Sequence, residues 1–245
     1  MNQPRHWLIG LLVCMAGMAQ AQTGRELIED SLQRYATPPN AYEEHAIVIT
    51  DRQGQHSVRT LRYYAQRNDR STRKLRILET PSELKGAAIQ IERDTQDGTR
   101  RGPSPTTVVF GTNFLVADLD EEQAGDFVYE RDGDTDLERV PHFVLRAQPA
   151  QQSVVRATSY YERQLFLRKD NLFLSRIDYL DRDGRPARRL SYRAPRPDEF
   201  GTWRATMMLM EDLRDGRRTL VKVERRVHSP DYVPTSIFEG LQASR

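Results

Sequence analysis

Residues 173–185 read FLSRIDYLDRDGR, and this stretch decides the fold. Phe173, Ser175, Ile177 and Tyr179 fall at every second position, so an extended chain puts all four on one face. Asp183 and Gly184 follow. That pair tolerates the positive φ of a tight turn, so the stretch predicts a strand running into a hairpin. One apolar face per strand is the mark of a half-buried antiparallel sheet.

The same pattern repeats outward in both directions. Leu75 and Ile77 share one face with Lys74 and Arg76 opposite. Ala87, Ile89 and Ile91 alternate with Ala88, Gln90 and Glu92, and Leu165 and Leu167 alternate with Gln164 and Arg168. Thr219, Val221 and Val223 share a further face. Turn pairs punctuate these runs at Gly54, Gly98, Gly133, Gly184 and Gly216, each preceded by Gln or Asp. The absence of a fixed-period repeat or a linker-like change of composition predicts one domain over residues 22–245.

Two kinds of segment break the rhythm. Thr23 and Glu26 have capping-box spacing, and Leu27, Ile28, Leu32, Tyr35 and Ala36 then line one face of a helix that Pro38 and Pro39 stop. Residues 80–86 read as a short helical turn closed by Gly86. Residues 112–124 begin apolar and end in Asp118, Asp120, Glu121 and Glu122, which reads as a second short helix with its loop.

Residues 1–21 read as a secretory signal. Arg5 lies in a short leading region, an apolar run follows from Trp7 to Met18, and Ala19 and Ala21 form a small-x-small cleavage site. The run is too short to span a bilayer. The single cysteine, Cys14, sits inside it behind Val13, where a lipid-attachment site would want a small residue. The mature chain therefore has no thiol, which removes disulfides, thiolate metal sites and a cysteine nucleophile.

Composition excludes several classes. Of 245 residues, 38% are apolar, 29% are charged, and 20 are aromatic, too many to read as a disordered chain. Lys plus Arg number 37 against 35 Asp plus Glu, a balance that argues against nucleic-acid binding. The five histidines, 6, 45, 56, 142 and 228, form no i, i+2 or i, i+4 pair that would hold a metal. Nucleophile elbows, phosphate-cradling glycine loops and His-Glu-x-x-His are absent as well. The sequence predicts neither an enzyme nor a cofactor.

The remaining charged and aromatic runs read blandly. Residues 118–122 lack the ligand spacing of a calcium loop and read as a solvated helix face. Tyr63 with Tyr64, and Tyr160 with Tyr161, each put one ring inside and one outside a strand. Arg188 with Arg189, and Arg225 with Arg226, split across the sheet and read as surface charge.

A sheet of about ten strands has an apolar face that one long helix cannot cover, and soluble monomers rarely expose more than roughly a few hundred Å² of contiguous apolar surface. Either the sheet curls around its helices or it encloses a cavity for an apolar guest.

Several segments, taken in order, resemble the periplasmic outer-membrane lipoprotein-sorting family, relatives of the LolA carrier. They are residues 78–91 (LETPSELKGAAIQI), 110–119 (FGTNFLVADL), 172–185, 203–211 (WRATMMLME), 219–223 and 234–238. The likeness spans about residues 45–241 and rests on the order and spacing of all of them. Where the family carries an aromatic strand with a Tyr-Leu-Pro element, residues 99–105 read TRRGPSP instead.

The resemblance implies a mainly β fold with a few helices, an incomplete antiparallel β-barrel whose concave apolar face is covered by helices. It implies a periplasmic carrier or chaperone for a lipid or acylated cargo, working in traffic toward the outer membrane, with an RND-type inner-membrane transporter as a partner. The alternative is an accessory module that docks on an envelope transporter or sensor without a transported ligand. Cavity residues, chosen from the apolar faces and the lid, are Leu61, Tyr63, Leu75, Ile77, Ile89, Ile91, Phe110, Phe114, Leu115 and Trp203.

Overall fold

The computed structural model describes residues 22–120, 122–151 and 160–239. The expected leader at residues 1–21, with Cys14, and Glu121 of the acidic run lie outside the described residues.

Thr23 starts helix α1 (Gly24–Arg34) as its spacing predicts. Its hydroxyl accepts from the Glu26 amide at 3.2 Å, and Glu26 accepts from the Thr23 amide at 2.8 Å. Two of the orphan amides at the helix start are thereby satisfied. Leu27 and Ile28 are fully buried, and the helix lies on strand β6 (Phe127–Leu137).

The strands before that edge are β1 (Asn40–Thr50), β2 (His56–Arg67), β3 (Ser71–Thr80), β4 (Ala88–Asp94) and β5 (Arg100–Arg101). After β6 come β7 (Val140–Pro149), β8 (Glu162–Arg168), β9 (Leu174–Leu180) and β10 (Pro186–Arg193). A separate ribbon, β11 (Arg196–Pro197) with β12 (Trp203–Arg204), interrupts before β13 (Met207–Asp212) and β14 (Arg218–Val227). The main sheet has twelve antiparallel strands in the order β5-β4-β3-β2-β1-β14-β13-β10-β9-β8-β7-β6. About ten were expected, and the two-residue β5 is among those too short to show a period.

This order dictates where the lid runs. The chain steps outward from β1 to the β5 edge, then resumes at β6, the opposite edge. It returns inward strand by strand until β14 seats beside β1. Residues 102–126 must therefore carry the chain from one edge of an open sheet to the other. They cross its inner face.

Apolar side chains gather in two clusters, one for each face. The inner cluster joins Leu27 and Ile28 of α1 to Val109, Phe114 and Val116 of the crossover, and to Ile47, Leu61, Ile91, Leu145, Leu165, Ile177, Leu190, Met210 and Val221 of the strands. The outer cluster is smaller: Tyr42, Tyr64 and Leu75, capped by Val233 and Phe238 of the C-terminal segment. That segment contributes a turn at Pro230–Tyr232 and the short helix α2 (Ser236–Glu239).

Among the described residues the cover over the inner face consists of α1 and the crossover, whose regular part is a four-residue 3₁₀ turn, Val116–Leu119. Three expectations need correction. Leu75 and Ile77 belong to the outer cluster, and Lys74 and Arg76 turn inward and are buried. Because β3 is covered on both sides, its alternation marked two faces without saying which is the concave one. Trp203 is half-buried in the β11–β12 ribbon beside Arg168 and joins neither apolar cluster. Finally, a register shift at Phe166 and Leu167 takes Ser175 off the face of Ile177 and Tyr179. The Ser175 hydroxyl instead lies 2.9 Å from His142 Nε2. No described helix is long and apolar enough to cross a membrane.

Candidate functional site

The crossover folds back on itself before it reaches the far edge. Val108 bridges Leu115, and the Val109 amide donates to the Phe114 carbonyl at 2.9 Å. The knuckle between them needs left-handed backbone at Phe110 (φ 47°) and Gly111 (φ 70°). Phe110 holds that conformation with its carbonyl accepting from Arg59 of β2. Thr112 closes the turn through its hydroxyl, donating to Val109 O at 2.6 Å and accepting from the Phe114 amide at 3.1 Å. Phe114 is thereby pushed down into the inner cluster, where it is 2% exposed.

Under the knuckle lies a cavity of about 170 Å³. Its floor is made by inward residues of adjacent strands: Ile47 and His45 (β1), Leu61 (β2), Arg76 (β3), Val221 (β14), Met208 (β13) and Tyr192 (β10). Val109, Thr112, Phe114, Leu119, Asp118 and Asp120 form its roof. The register explains the convergence, because His45 faces Leu61, Ile47 faces Val221, and Val221 faces Met208.

Acidic residues fasten the roof. Asp118, whose side chain is fully buried, accepts from Arg188 of β10 at 2.7 Å and from the Tyr160 hydroxyl at 2.7 Å. Asp120 pairs with Arg93 of β4 at 2.9 Å and Arg100 of β5 at 2.8 Å. Glu122 takes both amino groups of Arg163 of β8, at 2.6 and 2.9 Å, and the Tyr129 hydroxyl of β6. Burial alone would raise the Glu122 pKa, but the Arg163 charge outweighs it and holds the carboxyl below its ordinary value. Three carboxylates at every second position thus tie the crossover to both wings of the sheet. The acidic run is a row of clamps, and the expectation of a solvated helix face is overturned. The same contacts bury Arg188, which had read as surface charge.

One buried ion network lies beside the cavity. Glu43 accepts from His45 Nε2 at 2.6 Å and from Arg226 at 2.5 Å. Burial favours its neutral form, yet His45 and Arg226 together depress its pKa to about 2. Arg226, too, is a half-buried partner and not free surface charge.

Of the residues expected to line a cavity, Leu61 and Phe114 line this one, and Leu115 lines a larger hollow on the other side of the knuckle. Ile89 and Ile91 are in the inner cluster, and Tyr63, Phe110 and Leu115 pack against it. Leu75, Ile77 and Trp203 lie elsewhere. Sequence reading missed His45, Ile47, Arg76, Tyr192, Met208 and Val221. A signal existed for Val221, in the alternation of residues 219–223. None existed for His45 or Arg76, because an inward charged residue looks like an outward one.

The larger hollow, of about 620 Å³, opens on the other side of the knuckle, toward β9, β10 and β13. Val108, Leu115, Tyr160, Tyr179, Leu180 and Ala187 line it together with Arg182, Arg188, Arg214, Arg217, Asp181 and Asp212, so its wall is mixed where that of the smaller cavity is mainly apolar. Among the described residues no cluster of three or more His, Cys, Asp or Glu could hold a metal.

A wide open antiparallel sheet, crossed on its inner face by a clamped segment above an apolar hollow, defines a LolA-like fold, and solved structures share it. A candidate outer membrane lipoprotein-sorting protein domain from Vibrio parahaemolyticus superposes with a TM-score of 0.75 at 15% identity, over 89% of this chain and 97% of that one. A DUF1329 family protein from Desulfovibrio piger gives a TM-score of 0.71 at 17% identity, over 87% and 97%. A LolA superfamily protein from Nitrosomonas europaea gives 0.66 at 15% identity, over 89% and 98%. At such identities the likeness is one of fold. Residues 97–240 match the model of a family described as "Uncharacterized protein", and the chain belongs to that family. The curated proteins contain no match to the sequence.

Proposed function

We propose that the chain is a periplasmic carrier or chaperone that holds the alkyl part of a lipid or acylated cargo beneath the 102–122 crossover and performs no reaction of its own. The observation that carries this reading is the apolar hollow of about 170 Å³ between a LolA-like sheet and a clamped roof. Each methylene moved from water into such a hollow gains about 0.8 kcal/mol, so a chain is held without specific polar contacts.

Volume decides what fits. An apolar cavity of about 150 Å³ takes a benzene-sized guest. A cavity of this volume therefore takes a stretch of one alkyl chain, and a full lipid needs the roof to lift from the strands. The clamps at Asp118, Asp120 and Glu122 make that step a breaking of ion pairs. An RND-type inner-membrane transporter is the kind of donor from which such a carrier would load, and the outer membrane the destination.

The test is native purification from the cell envelope followed by lipid mass spectrometry. Bound acyl chains, or uptake of them from vesicles, are expected. A protein that neither carries nor takes up any chain, yet copurifies with an envelope protein, would replace this reading with that of a docking module.

A further inference from the structure

Arg76 does not fit a purely apolar hollow. It lies on β3 with its side chain directed inward, 8% exposed, its guanidinium carbon 4.7 Å above the ring centroid of Tyr63. Its Nη1 is sealed from solvent and has no hydrogen-bond partner. Among the described residues the guanidinium makes no ion pair. The nearby carboxylates are committed elsewhere: Glu43 to His45 and Arg226, Asp118 to Arg188, Asp120 to Arg93 and Arg100.

An arginine stays charged even when buried, and a buried charge without a partner is costly to the fold. Burial lowers the Arg76 pKa, while the adjacent Tyr63 and the more distant Glu43 and Asp120 act against that. A cost of this kind persists in a binding protein when the ligand supplies the missing partner. A guanidinium fork matches the paired oxygens of a carboxylate or phosphate. The walls beside it, Ile47, Leu61, Phe114 and Val221, match an alkyl chain.

We infer that Arg76 is the headgroup anchor of this cavity, pairing with the oxyanion of a single-chain amphiphile whose tail lies against those four side chains. The inference rests on the carrier reading and narrows its ligand class to anionic amphiphiles: free fatty acids, through a carboxylate, or lysolipids, through a phosphate.

Calorimetric titration with dodecanoate, dodecyl phosphate, dodecanol and inorganic phosphate separates the possibilities. The expected result is at least tenfold tighter binding of one or both anionic amphiphiles than of dodecanol, with inorganic phosphate alone not binding. Whichever anion binds better names the headgroup. Arg76→Met should bring the anions to within twofold of dodecanol, and Arg76→Lys should restore part of the preference. The ligand-free Arg76→Met protein should melt no lower than the parent, since it loses a buried charge that makes no ion pair among the described residues. A clearly lower midpoint would make Arg76 a structural residue and overturn the inference. Equal binding of dodecanol and the anions by the parent protein overturns it too, but leaves the carrier reading standing. Binding of neither sinks both.

Discussion

The Arg188 guanidinium donates to the Asp118 carboxylate at 2.7 Å, and the same nitrogen donates to the Asn113 carbonyl at 2.6 Å. One strand residue thus holds both the knuckle and the acidic run of the crossover. Burial alone would lower the Arg188 pKa, and the Asp118 charge more than reverses this. Breaking such a pair by removing one partner leaves the other charge buried alone, which typically costs about 3–5 kcal/mol. Asp118→Asn should lose stability on that scale in urea unfolding. It should also speed amide exchange at Val109, Thr112 and Phe114. The double variant Asp118→Leu with Arg188→Met should recover most of the loss, because it removes both charges together. A double variant as unstable as the single one would mean that the pair is not what fastens the roof.

Acid should weaken the fold through Glu43. Its pKa falls from an ordinary 4.5 to about 2 in the folded chain. A carboxyl with a depressed folded pKa contributes stability that is fully present above its unfolded pKa and fades as pH drops toward the folded one. At about 1.4 kcal/mol per unit, the contribution is roughly 3 kcal/mol at neutral pH. Glu122, Asp178 and Asp212 are also depressed and act with the same sign. Glu43→Gln isolates the one group: its stability deficit against the parent should be large at pH 7 and shrink between about pH 4.5 and 2. A deficit that stays constant with pH would assign it to lost packing.

Gly24 sets how closely α1 can approach the sheet. A Cβ there would lie 2.7 Å from the Glu130 carbonyl carbon and 2.9 Å from the Tyr129 carbonyl oxygen, both backbone atoms that cannot step aside. Gly24→Ala therefore has to push the first turn off β6, despite alanine's better helix propensity. Overpacking of this kind costs about 1–3 kcal/mol. Chemical unfolding of the alanine variant should show that loss, and unchanged or raised stability would mean that the helix seats differently.

Strands, most hairpins and the first helix were legible because each rests on local signals: period-two alternation, Asp-Gly turns, and the Thr23–Glu26 box. Asp132 and Gly133 are the exception: they form a bulge within β6, and the β6–β7 hairpin turns at Glu138 and Arg139. What could not be read locally was sidedness. Leu75 and Arg76 alternate cleanly, but only the C-terminal segment, more than 150 positions later, makes the Leu75 face a second apolar layer. The acidic run misled for a related reason. Asp118, Asp120 and Glu122 have the spacing of an extended chain, yet their partners Arg188, Arg93 and Arg163 come from three distant strands. Ion pairs between remote segments leave no periodic trace. Trp203 was assigned to an apolar face, but the two-residue strand that holds it is below the length at which a pattern exists.

Leu61 and Leu75 test which face binds. Both are buried, at 3% and 0% exposure, on neighbouring strands but in different clusters. Truncating either to alanine removes about the same packing and should cost about 2–5 kcal/mol. Their effects on ligand should part. Leu61→Ala enlarges the hollow under the crossover, so bulkier or branched alkanols should gain affinity relative to straight ones. Leu75→Ala opens space beneath Phe238 on the outer face, and alkanol affinities should keep their parental order. Calorimetry across one alkanol series, with both variants brought to equal stability by temperature, reads the difference directly. If Leu75→Ala changes the order and Leu61→Ala does not, the ligand lies under the C-terminal segment and the crossover is only a strut.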